Sequence, residues 1–396
     1  MSGTANITAR RLFDGETMHE NATLVIEDGL VAEIVPADRA QAGENGPGFT
    51  TGMVVPGFVD LQVNGGGGYL LNDDPSVETI REICAAHIRL GTTSILPTLI
   101  TDGVDKVRAT IDAAIAAHRA EVPGFLGLHL EGPHLSITRK GAHYAALMRE
   151  MSSQDMKLLI DAAAQLPHLM VTLAPEVVSA EQIGALARAG VVVSLGHSDC
   201  SAAVALEAAE AGASCVTHLF NAMSPLSHRE PGLVGAALES GKLSAGLIAD
   251  GYHVDPIAIR VALASKRRPG HLFLVSDAMS VTGSDLTSFT LASQKIFRRD
   301  GRLTQEDGTL AGADLDMRMA VKFMVETVGL GVEETLRMAT GYPAACMRGS
   351  ARAGHLKPGS PADFIHLSDA FDLEGVWLRG GAVQNLNPRP ELSPSA

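Results

Sequence analysis

Most of the features that mark secreted, membrane-bound or nucleic-acid-binding chains are missing. Four cysteines occur in 396 residues, Cys84, Cys200, Cys215 and Cys346, none in a C-x-x-C pair and all in apolar surroundings. This argues for buried, reduced thiols and against a disulfide framework or a thiolate metal site. Basic residues are outnumbered, 31 Lys+Arg against 45 Asp+Glu, and the resulting net charge of −14 repels phosphate backbones and anionic lipid. No apolar run approaches the roughly 20 residues that span a bilayer, and the opening MSGTANITARRLFDGETMHE has no apolar signal core. The expectations are no nucleic-acid partner, no membrane partner and a cytoplasmic location. G-x-S-x-G and H-E-x-x-H are both absent, which disfavours a serine esterase and a metalloprotease.

Aromatics make up only 4% of a chain that is 46% hydrophobic, so the apolar mass is aliphatic, the usual filling of stacked strand and helix layers. Residues 7–12, 22–27 and 30–35 read as a strand meander turned at Asp28-Gly29. The carboxyl end repeats the style at 363–367 and 375–379, with a Gly380-Gly381 turn and a proline-rich tail expected to be disordered from Asn387. Both ends are expected to pair in one small sheet domain. Between them lie eight apolar runs, at 54–63, 92–99, 125–130, 170–174, 191–195, 215–219, 243–248 and 272–276. Helical stretches fit between most of them, at 76–90, 102–120, 152–165, 179–189, 201–211 and 255–267, while the link between the sixth and seventh runs is irregular. This alternation predicts an α/β fold, a (β/α)8 TIM barrel.

In such a barrel every carboxyl-terminal strand end opens onto one face, where active sites are built. Polar residues recur at those ends: Gln62, Asn64, Thr98, Glu131, Glu176, His197, His218, Asp250 with His253, and Asp277. Glu131, His197 and His218 form a two-imidazole, one-carboxylate set suited to a catalytic zinc with an open position. Each taken alone reads more readily as a structural residue; barrel geometry supplies the convergence. Asp277 is the candidate general base, able to take a proton from water and return it to a leaving amine. Asn64 and the four glycines after it lack a phosphate-loop register and read as a tight turn, and His19, His87, His118, His168 and His271 read as surface or structural residues.

Ordered segments across nearly the whole chain then carry a specific resemblance: VPGFVDLQVNG, GLHLEGPH, KGAH, VTLAPE, GHS, THLFNAM, HREPG, ADGYHVD, VSDA, GTLAG, LRMATGYPA and GHLKPGSPADF. The chain resembles the N-acetylglucosamine-6-phosphate deacetylases of the amidohydrolase superfamily. The resemblance implies a barrel over residues 55–353 and a β-sandwich built from 1–54 and 354–396. It implies zinc-dependent removal of acetate from N-acetyl-D-glucosamine 6-phosphate, leaving D-glucosamine 6-phosphate, as in amino-sugar catabolism and recycling. Glu131, His197 and His218 match the family's metal ligands, Asp277 its catalytic aspartate, and His143 a residue that contacts substrate and polarises the amide carbonyl. Ala142, Asn221, Ala222, Arg229, Asp250, His253, Leu310, Ala311 and Gly312 match substrate-binding positions, with Arg229 and His253 as the cationic clamp that a sugar phosphate needs on an acidic protein. In similar enzymes a dimer interface completes the phosphate site, so a homo-oligomer, dimer or tetramer, is expected.

Many amidohydrolases carry His-x-His after the first strand and a lysine after the fourth for a second metal; here these positions hold Gln62-Val63-Asn64 and TLAPE, which points to one zinc per chain. His134 stands where similar enzymes often have a bulky aromatic, and Ala313 where serine is common. Two other readings remain open. One is deacylation of another amide, such as an N-acyl-amino acid or an N-acetylgalactosamine phosphate. The other is a catalytically silent scaffold, for which Gln62 and Asn64 would mark lost ligands.

Overall fold

The structure, a computed structural model, describes residues 4–39, 44–291, 294–347 and 352–384; the expected tail from Asn387 lies outside them. The chain opens with β1 (Thr4–Phe13), β2 (Met18–Glu27) and β3 (Leu30–Pro36), an antiparallel meander. Asp28 and Gly29 turn it with φ of 51° and 78°, the left-handed pair that a tight hairpin requires. Next come β4 (Glu44–Phe49) and β5 (Met53–Pro56).

The barrel follows: β6 (Phe58–Val63), the hairpin β7 (Gly65–Gly66) and β8 (Tyr69–Leu70), α1 (Val77–Arg89), β9 (Thr92–Ile100), α2 (Val104–Arg119) and β10 (Leu128–Glu131). It continues through α3 (Ser153–Ala163), β11 (Leu169–Leu173), α4 (Ala180–Arg188), β12 (Val192–Leu195), α5 (Ala202–Ala211) and β13 (Cys215–Val216). It ends with α6 (Gly232–Glu239), β14 (Ser244–Leu247), α7 (Pro256–Ser265) and β15 (Leu272–Leu274). An antiparallel insert, β16 (Ser288–Leu291), β17 (Gln294–Arg299) and β18 (Arg302–Thr304), precedes α8 (Met317–Phe323), α9 (Val332–Ala339) and α10 (Gly341–Cys346). Finally β19 (Phe364–Leu367), β20 (Leu373–Leu378) and β21 (Gly381–Ala382) rejoin the amino-terminal strands.

Eight parallel strands run β6, β9, β10, β11, β12, β13, β14, β15 in a nearly closed barrel. The helices start where the sequence supplies caps. Ser152 with Asp155 and Ser179 with Gln182 form capping boxes on α3 and α4, and Asp255 caps α7 with Pro256 at its first position. On α1, Ile80, Ile83, Cys84 and His87 recur at helical spacing and are buried against the barrel. The terminal strands form one hydrogen-bonded sheet, consistent with the expected sandwich domain, with a core that includes Ile7, Leu12, Leu24, Ile26 and Phe364. All four cysteines are free, three of them buried, and among the described residues no helix is long and apolar enough to cross a membrane.

One expectation needs correction. The run at 54–63 is two strands, because the chain changes sheets at Pro56-Gly57. β5 pairs with β1 and β19, whereas β6 pairs with β9. Gly57 donates to Asp363 O and Phe58 to Gly91 O, one bond toward each domain. The irregular link between the sixth and seventh runs contains α6, which Pro231 precedes with no side-chain cap and whose first residue, Gly232, has a φ of 61°.

A Cβ on Gly57 would lie 2.0 Å from Thr93 Oγ1, while one on Gly48 meets nothing within 4 Å. Gly57→Ala should therefore cost about 1–3 kcal/mol through overpacking and lower Tm by several degrees. Gly48→Ala should leave the melting curve unchanged; scanning calorimetry of both variants gives the comparison.

Candidate active site

Strand ends deliver the polar side chains to one cavity. Glu131 is the last residue of β10, and residues two apart on a strand share a face, so His129 lies below it. His197, His218 and Asp277 each lie two or three residues beyond a strand and have φ of 47°, 30° and 52°. Left-handed backbone at a non-glycine residue costs on the order of 1–3 kcal/mol and persists where surrounding bonds over-determine it. Here Asp277 N–H donates to Gln62 O, and Asp277 O accepts from Ala313 N–H.

The geometry is tight. Glu131 Oε1 is 3.1 Å from His197 Nε2 and 3.0 Å from His218 Nε2, and the two imidazole nitrogens are 3.1 Å apart. His143 Nε2 stands 3.8 Å from Glu131 Oε2. Gln62 Nε2 donates to both carboxylates, at 3.2 Å to Glu131 Oε1 and 3.1 Å to Asp277 Oδ1, and Asn64 Nδ2 donates to Asp277 Oδ1 at 2.7 Å.

Charge follows from these contacts. Burial alone would raise the Glu131 carboxyl, but the adjacent His197 and His218 imidazoles hold it well below its usual range. For Asp277, burial and then repulsion from Glu131 win over His218 and Asn64, and its pKa is pushed up to about 6. Burial, with the neighbouring His197, drives His143 down to about 3, so this ring is neutral. Burial also opposes a charged His218, yet the Glu131 carboxylate raises its pKa above the ordinary value.

Ligand atoms of Glu131, His143 and His197 all lie within 4.8 Å of one another, a group able to hold a metal ion, and His218 Nε2 is closer still to Glu131. Tautomers separate His197 from His143. His197 Nδ1 donates to Arg139 O at 2.8 Å, which leaves its Nε2 lone pair facing the Glu131 carboxylate. Two acceptors opposed at 3.1 Å need a cation between them, so the donor set fits a metal. His143 differs: its Nδ1 accepts from Thr101 N–H at 3.3 Å, which puts the proton on Nε2 and makes that atom a donor rather than a ligand.

The cavity has a volume of about 260 Å³, and its wall combines Glu131, His143, His197, His218 and Asp277 with Asn64 and apolar Ile100, Ile248, Met279 and Leu291. Of the expected substrate contacts, Ala142, His143, Asn221, Ala222, His253, Leu310 and Gly312 line it. Asp250 stands behind, accepting from His253 Nδ1 at 2.6 Å, and Ala311 is buried with Met279 and Leu303. Arg229 is exposed and is not part of this wall. Nor are His134, whose Nδ1 donates to Arg149 O, or Ala313, both of which are buried. Glu176 turns away to accept from Ser198 Oγ and Asp199 N. The glycines after Asn64 form the tight β7–β8 hairpin.

Two buried polar residues escaped the sequence reading. His129 donates from Nδ1 to Leu61 O at 2.9 Å and accepts at Nε2 from Thr172 Oγ1 at 2.8 Å, and burial drives its pKa down to about 4. Asp60, fully buried, accepts from the Gln62 and Ser276 backbones. The available signal was a lone charged or polar residue inside an apolar run, which is costly unless paired.

Comparison with known proteins gives a consistent family. The model described as "Amidohydrolase family" matches residues 53–383. An N-acetylgalactosamine-6-phosphate deacetylase of Shewanella sp. (strain ANA-3) is 40% identical over 91% of this chain and 91% of its own. An N-acetylglucosamine-6-phosphate deacetylase of Haemophilus influenzae is 31% identical over 91% of this chain and 94% of its own. The crystal structure of N-acetylglucosamine-6-phosphate deacetylase from Pasteurella multocida superposes with a TM-score of 0.91 at 33% identity, covering 96% of this chain and 100% of that one.

The insert and the loop after it supply Leu291, Thr309, Leu310 and Gly312 to the cavity. Arg298 fastens them, its Nε donating to the buried Asp314 Oδ2 at 2.6 Å and its Nη1 to Ser284 O at 3.0 Å. A bond to a charged partner is worth about 1.5–3 kcal/mol. Arg298→Met should thus speed amide exchange over residues 288–304 by roughly ten- to a hundredfold without altering the barrel helices. Exchange mass spectrometry reads this directly.

Proposed function

The chain belongs to the amidohydrolase family, and on that premise we propose that it is a zinc-dependent deacetylase of N-acetylhexosamine 6-phosphates. The reference reaction converts N-acetyl-D-glucosamine 6-phosphate to D-glucosamine 6-phosphate and acetate. The observation that carries this reading is the meeting, in one small cavity, of a carboxylate, two imidazoles, a second buried carboxylate and a neutral imidazole that donates.

Glu131, His197 and His218 would hold a single divalent cation, with Zn2+ matching the nitrogen-rich donor set. When bound, that cation supplies Lewis acidity to an amide carbonyl and makes water a better acid. Asp277 takes the water's proton. Its carboxylate is held in place by Asn64 Nδ2 and Gln62 Nε2 while it does so. His143 donates from Nε2 to the carbonyl oxygen as negative charge develops there. Asp277 then delivers its proton to the departing amine, so one group acts as base and acid in turn. Gln62 and Asn64 place N–H donors where other branches place imidazole ligands, which favours one metal over two.

For the phosphate we propose His253, oriented by Asp250, together with Arg229. Because Arg229 is off the cavity wall of its own chain, the pairing is best met in a homo-oligomer in which subunits share the phosphate. A cytoplasmic setting suits free thiols and a phosphorylated sugar.

A second reading concerns the sugar. Of the two relatives described above, the 40% identical one is named for the galactosamine epimer and the 31% identical one for the glucosamine epimer. N-acetyl-D-galactosamine 6-phosphate is therefore an alternative substrate of the same site. Acetate release should be measured from both 6-phosphates and from unphosphorylated N-acetylglucosamine. We expect release from at least one phosphate and little from the free sugar; equal rates with and without phosphate would remove Arg229 and His253 as phosphate readers. Asp277→Asn should retain one equivalent of zinc per chain by elemental analysis while kcat falls about 10²- to 10⁴-fold. Near-normal kcat in that variant would exclude Asp277 as the proton carrier.

A further inference from the structure

Each neighbouring pair of barrel strands is joined by a parallel ladder except one, although the β6–β9 ladder shifts register between Asp60 and Val63. Between the first strand, β6, and the last, β15, the described residues show no strand pairing, only an isolated bridge from Val63 to Ala278. That seam carries Asp277 on one side and Gln62 and Asn64 on the other. At its upper end backbone bonds close it: Asp277 N to Gln62 O at 3.0 Å and Asn64 N to Ala278 O at 2.9 Å. Below them a side chain takes over. Both oxygens of Asp60 accept from Ser276 N, at 3.2 and 3.1 Å, and Oδ1 also accepts from Gln62 N at 3.1 Å.

We propose that Asp60 is the positioning residue of the active site, its carboxylate standing in for the missing ladder and thereby holding Asp277 and Gln62 in the register that deacetylation requires. This rests on the catalytic role proposed above for Asp277. Asp60 does not line the cavity and is 0% exposed, so it acts through its neighbours and not on substrate. Its grip reaches the backbone on both sides of Asp277. Before it, Ser276 N–H donates to both Asp60 oxygens; after it, Ala278 N–H donates at 3.2 Å to Ser276 Oγ, the hydroxyl that also lowers the Asp60 pKa. Asp277 needs such fixing because its backbone is left-handed, at φ 52°. On the other side, Gln62 is tied to Asp60 through its own N–H, and its side chain bridges Glu131 and Asp277. The arrangement is costly: burial pushes the Asp60 pKa up to about 7 against the bonds from Ser276 and Gln62. An apolar residue would avoid that cost but would leave the Ser276 N–H without this acceptor at a buried position.

The test uses the full-length, zinc-loaded protein and its Asp60→Asn variant. Asparagine keeps one acceptor oxygen but turns an N–H toward the Ser276 N–H. We expect kcat to fall at least tenfold with KM within about twofold and zinc content unchanged. In exchange mass spectrometry, peptides covering 272–280 should exchange at least tenfold faster while those of α3 to α5 do not change. A kcat within twofold of wild type overturns the proposal, as does a loss of activity matched by faster exchange across the whole barrel, which would mark a merely structural aspartate. If the wild-type chain releases no acetate from either sugar phosphate, the deacetylase reading fails, and the exchange pattern alone decides whether Asp60 fixes the seam. If Asp60→Asn does not fold, Ser276→Ala, which removes only the hydroxyl arm, should still lower kcat severalfold at constant KM; unchanged kcat there overturns the proposal.

Discussion

Two carboxylates buried in one cavity repel each other, and the rest of the site is arranged around that repulsion. Glu131 and Asp277 cannot both stay ionised beside one another without compensating positive charge or donors. The structure answers with imidazoles on the Glu131 side and amide N–H groups on the Asp277 side, while Gln62 serves both. The division sets the two carboxyls apart. One is held far below its ordinary pKa and suits cation binding; the other is raised toward neutrality and suits proton transfer.

Barrel architecture makes this convergence affordable. Four side chains separated by as much as 146 positions, from Glu131 to Asp277, meet because every parallel strand ends on the same face. The strands supply direction only as far as their last ladder bond. Beyond that, left-handed backbone at His197, His218 and Asp277 turns each side chain inward, held by bonds from neighbouring loops.

Much of this was legible in the sequence because it rests on periodicity and on position relative to strand ends. The eight apolar runs and their intervening helices emerged from alternation, and the structure adds caps at Ser152 and Ser179. Glu131, His197, His218 and Asp277 stood out as polar residues at the ends of those runs. What stayed hidden has a common cause. A run that is apolar on both faces carries no period, so the change of sheet at Gly57 left only a Pro-Gly dipeptide to mark it. His129 and Asp60 are satisfied by backbone atoms far away in sequence, and those partners exist only once the barrel has closed. The insert at 288–304 pairs mostly with itself, so its position over the cavity depends on tertiary contacts such as Arg298 to Asp314.

The change of sheet at Gly57 also bears on how the chain is made. β5 hydrogen-bonds to β1 on one side and to β19 on the other, so Met53 lies opposite Leu367. During synthesis the amino-terminal strands leave the ribosome early but lack that neighbour until almost the entire barrel has been translated. For that interval β5 is an unpaired apolar edge of the kind that templates aggregation. So long-range a pairing is expected to form late, and a nascent chain stalled before β19 would keep that edge exposed.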